Sequence, residues 1–279
     1  MKIILYGSEG TIGNYVKKEI IKKKITLYVY ENKKKIKSNK NYKIINKNHL
    51  KDKNFINEQD ILIYLAWGNL NDFDSNLHIK KEYPTHFANI KKLVKLGIKN
   101  IIVTGTCFEY KKKDGILTEN STINPSTNYG IAKDKLRKKL SKLKETYNIN
   151  LNWLRIFYIY GNENDNNNLW SQLIKFSDQK KIKYFKMSSG KQSRDYMHVK
   201  DIAKNIVFIA LKRNHYGVVN ICSGKPIQIK SLVKKWRIKY KWNMFFKYNH
   251  YDIPKYESFK FWGSNKKLKK IVGKTYEQK

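Results

Sequence analysis

The chain has 279 residues, 41% hydrophobic and 14% aromatic, which excludes a disordered protein and allows one large or two modest lobes with an ample core. Its formal charge of +37 comes almost wholly from lysine spread through every segment. No helix-turn-helix, zinc-finger or RNA-binding aromatic motif accompanies that charge, so it reads as solvated faces and compositional bias; the field still favours a phosphorylated small substrate. No apolar run approaches the roughly 18 to 20 residues that cross a bilayer, and the opening Met1 to Gly7 is too short for a signal peptide, so a cytoplasmic protein is expected. Cys107 and Cys222 have neither metal-ligand nor disulfide-framework spacing.

Lys2 to Tyr6 is an apolar run of strand type, followed by Gly7-Ser8-Glu9-Gly10-Thr11-Ile12-Gly13 and then Tyr15, Val16, Ile20 and Ile21 at helical spacing. Strand, glycine-rich turn and helix is the arrangement in which backbone N–H groups and a helix N-terminus receive a pyrophosphate. A second strand, Ile25 to Tyr30, ends in Glu31 at the distance, about twenty residues past the turn, where an acid accepts from a ribose 2′-hydroxyl. Glu31 suits NAD, Lys33, Lys34 and Lys35 suit the 2′-phosphate of NADP, and the sequence leaves the two open. A third strand is expected at Tyr42 to Ile45 and a fourth at Ile61 to Ala66, where Leu65, Ala66 and Trp67-Gly68 would let a dinucleotide lie across the sheet edge. A helix over about 81–96 then leads to a fifth strand, Ile101 to Thr104, and the alternation means parallel βαβ units.

The fifth strand delivers Thr104-Gly105-Thr106-Cys107-Phe108-Glu109-Tyr110 to the C-terminal edge, where ligands sit in open α/β sheets. Pro125-Ser126-Thr127-Asn128 is a polar turn that introduces Tyr129 at a helix start, with Lys133 four residues on and on the same face. A lysine close to a phenol favours the phenolate, which makes the pair a proton-transfer device with a lowered tyrosine pKa. Thr106 is placed to meet that phenol. A sixth strand is expected at Leu151 to Tyr160. Beyond Gly161 the alternation weakens: an acidic, Asn-rich loop over 162–168, a helix at Leu169 to Ser177, a short strand from Arg194, a helix from Asp201, a strand at Val218 to Ile221 and a helix from Lys230. The expected architecture is α/β: a doubly wound parallel sheet over 1–160, rejoined by about 195–215, with a smaller mixed α/β substrate-binding lobe over 161–279.

On these residues the chain resembles the extended short-chain dehydrogenase/reductase family, in its NAD-dependent epimerase/dehydratase branch acting on nucleotide sugars. Gly7, Gly10 and Gly13 match the glycine turn, Leu65-Ala66 the end of the fourth strand, Thr106 the catalytic Ser/Thr, and Tyr129 with Lys133 the catalytic pair. Leu154-Arg155-Ile156-Phe157, Tyr160-Gly161, the run from Arg194 to Asp201 and Asn220 to Gly224 are similar to the later landmarks. The resemblance implies a Rossmann-type fold binding NAD or NADP through Gly7, Gly10, Thr11, Ile12, Gly13, Glu31, Leu65, Ala66 and Trp67. It implies that Tyr129 exchanges a proton with the sugar oxygen, that Lys133 holds the nicotinamide ribose, and that Thr106 aligns the reacting oxygen. Arg194 would contact the nucleotide diphosphate, its bland alternative being a surface ion pair with Asp195 or Asp201. Tyr158 stands where many relatives carry a phosphate-binding Asn. A homodimer built on a four-helix bundle is likewise implied.

Departures narrow the reaction. Where sugar dehydratases of this kind carry Asp-Glu after the catalytic Thr, this chain has Cys107 and Phe108, and Cys107 reads as buried packing in an extended segment. Reduction needs only Tyr, Lys, Thr and an exchanging cofactor, so the pattern is closest to a reductase of nucleotide-linked 4-keto-6-deoxyhexoses. A C4 epimerase with retained NAD is the alternative within the enzyme class, and a non-catalytic dinucleotide-sensing module the alternative outside it.

Overall fold

The computed structural model describes residues 1–31, 40–162, 168–177, 183–253 and 256–273. In chain order the first half holds β1 (Ile3–Tyr6), α1 (Thr11–Lys22), β2 (Leu27–Tyr30), β3 (Lys43–Ile45), β4 (Ile61–Tyr64), α2 (Tyr83–Lys95), β5 (Asn100–Thr106), β6 (Gly115–Leu117), α3 (Asn128–Tyr147) and β7 (Asn150–Ile156). The second half adds β8 (Tyr158–Tyr160), α4 (Leu169–Ser177), β9 (Lys183–Lys186), β10 (Ser193–His198), α5 (Val199–Lys212), β11 (Val218–Ile221), β12 (Pro226–Gln228), α6 (Ile229–Lys239), β13 (Met244–Lys247), β14 (Phe261–Gly263) and α7 (Lys266–Val272).

Seven strands form one parallel sheet in the order β11-β7-β5-β4-β1-β2-β3. β1, β4 and β5 are buried along their whole length, as strands covered on both faces must be. On one face Val16 and Ile20 of α1 pack with Ile202, Ile206 and Ile209 of α5 and Leu268 and Val272 of α7. On the other, Ile90 and Leu93 of α2 pack with Leu136 and Leu140 of α3. Each such side chain contributes about 1.5–3 kcal/mol by leaving water. This is the doubly wound Rossmann arrangement expected from the sequence. Its strand order reverses between β1 and β4, so their C-terminal ends open the crevice where this fold takes ligands.

The single strand expected over 151–160 is two. β7 stays in the large sheet while β8 starts a second, three-stranded sheet ordered β12-β10-β8. The break falls at Phe157, whose side chain joins a separate cluster with Cys107, Tyr110, Cys222 and Phe261. The fourth strand ends at Tyr64 rather than Ala66, and the helix expected over 81–96 is preceded by a π-helical turn, His78–Glu82. Residues 107–109 form a 3-10 turn and not an extended segment, although Cys107 is buried as expected.

Asp195 of β10 fastens the second sheet to the first. Fully buried, it accepts from Ser223 N at 2.8 Å and Ser223 Oγ at 2.6 Å, from Gly224 N at 2.9 Å and from Gly263 N at 3.2 Å. Leaving such donors without an acceptor costs about 1–3 kcal/mol each. Asp195→Ala is therefore expected to lower stability by about 3 kcal/mol in urea unfolding; a loss below about 1 kcal/mol would show that water replaces the carboxylate.

Candidate active site

The glycine turn is closed to side chains at Gly7 and Gly13. Gly7 has φ +80°, and a Cβ there would stand 2.7 Å from Ala66 N. A Cβ on Gly13 would lie 1.9 Å from Gly7 O, so helix α1 approaches the strand end as closely as backbone permits. Gly10 precedes α1 in an extended conformation and supplies no side-chain cap. The helix N-terminus that Thr11 and Ile12 begin is thus a site suited to an anion. Leu65 and Ala66 leave β4 against Gly7, and Glu31 follows β2, its carboxylate accepting from Ser8 Oγ at 3.1 Å. Lys33, Lys34 and Lys35 lie outside the described residues. A turn with no room for a Cβ at its first and last glycines, a helix start without a side-chain cap and an acid at the next strand end fit a dinucleotide.

Thr106, Tyr129 and Lys133 come together at the end of β5. Thr127 caps α3 by accepting from Gly130 N at 3.1 Å, and Tyr129 N donates to Phe73 O at 2.8 Å, which fixes the first turn of that helix. The Thr106 hydroxyl lies near enough to the Tyr129 phenol to draw its pKa down. Lys133 is buried; its Nζ donates to Thr104 O at 2.8 Å and lies 4.0 Å from the centre of the Trp67 ring and 5.9 Å from that of Tyr129. Phe73 stacks on Tyr129 at 5.2 Å, and His78 and Trp67 flank it at 5.3 and 6.0 Å.

The electrostatics reverse one expectation. Burial pushes the Tyr129 phenol up, with Glu109 adding to the shift and the Thr106 hydrogen bond opposing it. Burial takes the Lys133 ammonium down to about 7, against the pull of Glu109 and then Glu82. The lysine donates to a backbone carbonyl instead of pointing at the phenol, so desolvation of the tyrosine prevails over its cationic neighbour.

Two acids that sequence reasoning passed over hold this edge. Glu109 is fully buried and accepts from Thr106 N at 2.8 Å, from Trp153 Nε1 at 2.9 Å and from Arg155 Nε at 2.8 Å. Its signal was present: Thr106-Cys107-Phe108-Glu109 is a T-x-x-E capping box, realised at the 3-10 turn. Glu82 accepts from Gly68 N at 2.9 Å and is 3.0 Å from His86 Nε2. His86 in turn stacks on Trp67 at 4.8 Å.

Arg194 lies in the second sheet, inside the protein. Neither Asp195 nor Asp201 is its partner. The guanidinium is paired with Glu257, donates to Ser193 O at 2.8 Å and to the Tyr158 hydroxyl at 3.2 Å, and Tyr158 also donates to Glu257. Burial raises the Tyr158 phenol, and Glu257 raises it further. No sequence pattern links Glu257 to these residues, because β10 and the 256–260 segment meet only in the fold. Tyr256, beside Glu257, reaches Phe73 at 6.1 Å and Phe108 at 5.8 Å, joining this locus to the rings around Tyr129.

The chain is 29% identical over 273 residues to a dTDP-6-deoxy-L-talose 4-dehydrogenase (NAD(+)) of Aggregatibacter actinomycetemcomitans, covering 95% of this chain and 100% of the relative. An uncharacterized UDP-glucose epimerase, YtcB, of Bacillus subtilis (strain 168) is 26% identical over 266 residues, covering 84% of this chain and 80% of the relative. Among solved structures, a UDP-N-acetylglucosamine 4-epimerase from Methanobrevibacter ruminantium M1, in complex with UDP-N-acetylmuramic acid, superposes with a TM-score of 0.80 at 20% identity, covering 98% of this chain and 92% of that one, a likeness of fold. The family model for the NAD dependent epimerase/dehydratase family matches residues 3–222, across the large sheet and its glycine turn, and the chain belongs to that family.

Proposed function

We propose that the chain reduces the 4-keto group of a nucleotide-linked 4-keto-6-deoxyhexose, in the supply of deoxysugars for surface polysaccharide. The observation that carries this reading is the content of the turn after Thr106. Cys107 is buried with its thiol pushed up by burial, Phe108 is apolar, and Glu109 is committed to Arg155 and Trp153. That leaves Tyr129 as the proton donor at this strand end, which suits ketone reduction better than dehydration. The full-length likeness to a 6-deoxysugar 4-dehydrogenase supports chemistry at the same carbon.

Tyr129, held in its protonated form by burial, gives its proton to the ketone oxygen. Thr106 orients both oxygens through its hydroxyl. Lys133 holds the ribose side of the dinucleotide with Trp67 packed against its ammonium. A bound nicotinamide supplies the hydride. Glu31, placed for a ribose 2′-hydroxyl, favours NAD(H) over the phosphorylated form. Arg194 and Tyr158 serve the diphosphate end of the substrate, and α2 and α3, side by side on one face, carry a homodimer. A cytoplasmic location accompanies this reading.

Purified protein mixed with NADH and dTDP-, CDP- or GDP-4-keto-6-deoxysugars is expected to consume the reduced cofactor, followed at its nicotinamide absorbance. Tightly retained NAD with no net oxidation would favour C4 epimerisation instead. Tyr129→Phe is expected to lower kcat by about 10²–10⁴-fold, the range of a general acid, with NADH binding kept. Turnover within about tenfold of the parent would remove Tyr129 from the reaction.

Lys133 makes a second, pH-dependent expectation. Its value in the folded chain, about 7, lies below the ordinary 10.5, so the unfolded chain binds this proton more tightly. Stability from this residue therefore rises with pH between about 7 and 10.5, and is lowest when the buried amine is charged. Lys133→Met is expected to raise the Tm more at pH 6 than at pH 10; an equal change at both would show that Lys133 titrates normally.

A further inference from the structure

We propose that Glu109 is the positioning residue of this site, pinning Thr106 from beneath and providing the counter-charge for the buried Lys133. The inference deepens the proposed function and rests on its assignment of Thr106, Tyr129 and Lys133 as the reacting set. Its basis is how closely the carboxylate lies against Gly105 and Thr106 of β5, next in sequence to the carbonyl that holds Lys133. Lys133 Nζ donates to Thr104 O at 2.8 Å, and Thr106 N donates to Glu109 Oε1 at 2.8 Å. Between them, a Cβ on Gly105 would stand 2.3 Å from Glu109 Oε1 and 2.1 Å from Trp153 Nε1. The glycine is what lets the carboxylate reach the strand, so the strand end is held by Lys133 at Thr104 and by Glu109 at Thr106.

The carboxylate is itself held on every side. Trp153 Nε1 donates to both oxygens at 2.9 and 3.0 Å, Arg155 Nε donates to Oε2 at 2.8 Å, and Arg137 Nε lies 3.9 Å away while pairing with Asp134. Arg155 is buried over the Tyr110 ring, 4.5 Å from its centre. With its oxygens accepting four hydrogen bonds from three donors, Glu109 is arranged to position its neighbours and not to exchange a proton with substrate. The groups facing Lys133 are Glu109 from the turn after β5, Glu82 from the turn before α2, Tyr129 on its own helix, and His86 of α2 behind Trp67. Burial takes His86 down to about 4, with Lys133 adding to the shift, so it brings no compensating charge. Of the two acids, Glu109 acts more strongly on Lys133.

A carboxylate that only braced β5 against β7 would lower stability when removed without moving the titration of Lys133. That titration is read by 13Cε NMR of the full chain without added cofactor, the Lys133 resonance being the one missing in Lys133→Met. Glu109→Gln is expected to lower the midpoint by about 1 unit or more, the usual effect of losing a nearby opposite charge, and Glu109→Asp by less. In the reductase assay the alkaline limb of kcat should move in the same direction. An unchanged midpoint in the folded Gln variant overturns the proposal; if that variant does not fold, the Asp variant gives the same two readings. The NMR midpoint does not depend on turnover, so a wild-type chain inactive on ketosugars would refute the reductase reading while this measurement still decides the role of Glu109.

Discussion

A lysine ammonium held inside the protein beside a phenol is the constraint on which the rest of this site depends. Removing such a group from water costs several kcal/mol unless its surroundings replace the lost hydration. Here the replacements come from separate parts of the chain: the Thr104 carbonyl from β5, the face of Trp67 beyond β4, and the fields of Glu109 and Glu82. Only a parallel sheet with crossovers on both faces brings the C-terminal ends of these strands to one edge. Acids are scarce in a chain with 22 of them against 59 basic residues, which gives weight to where they are spent. Glu109 and Asp195 are fully buried, and each closes a junction between strands.

The two charged loci divide the molecule's work by location. Around Tyr129 the polar groups are few and the walls are rings: Phe73, Trp67 and His78, with Phe108 and Tyr256 continuing the surface. Low polarity strengthens every electrostatic contact made inside. Around Arg194 the opposite holds, since guanidinium, carboxylate and phenol satisfy one another within the second sheet. An anionic group that engages Arg194 must share it with Glu257.

The glycine turn and the Tyr129–Lys133 pair were legible because their determinants are local: glycines at fixed spacing after an apolar strand, and a Tyr and Lys one helical turn apart. The large sheet followed from alternation through β7, while its edge strand β11 comes from the half where the alternation had weakened. What escaped were features created by adjacency across the sheet. Glu109 matters because β5 and β7 are neighbours, which sets Trp153 and Arg155 over it, and Glu257 because a late segment returns to β10. The strand break at Phe157 was hidden by an apolar run that gives no local reason to change sheets. β6, β9, β13 and β14 have three or four residues each, too few for periodicity to distinguish them from loop. The inverted expectation for Tyr129 has the same origin: spacing reports a neighbour but not the depth at which the pair is buried.

Asp195 also imposes an order of events. Its hydrogen-bond donors come from residues 223, 224 and 263, up to 68 positions further along the chain. While the polypeptide is being synthesised, the large sheet up to β7 can close before any of those donors has left the ribosome. The carboxylate then waits in water, and the second sheet with Arg194 cannot dock dry until β14 has emerged. The junction that holds the Arg194 sheet is therefore complete only once residue 263 has been made.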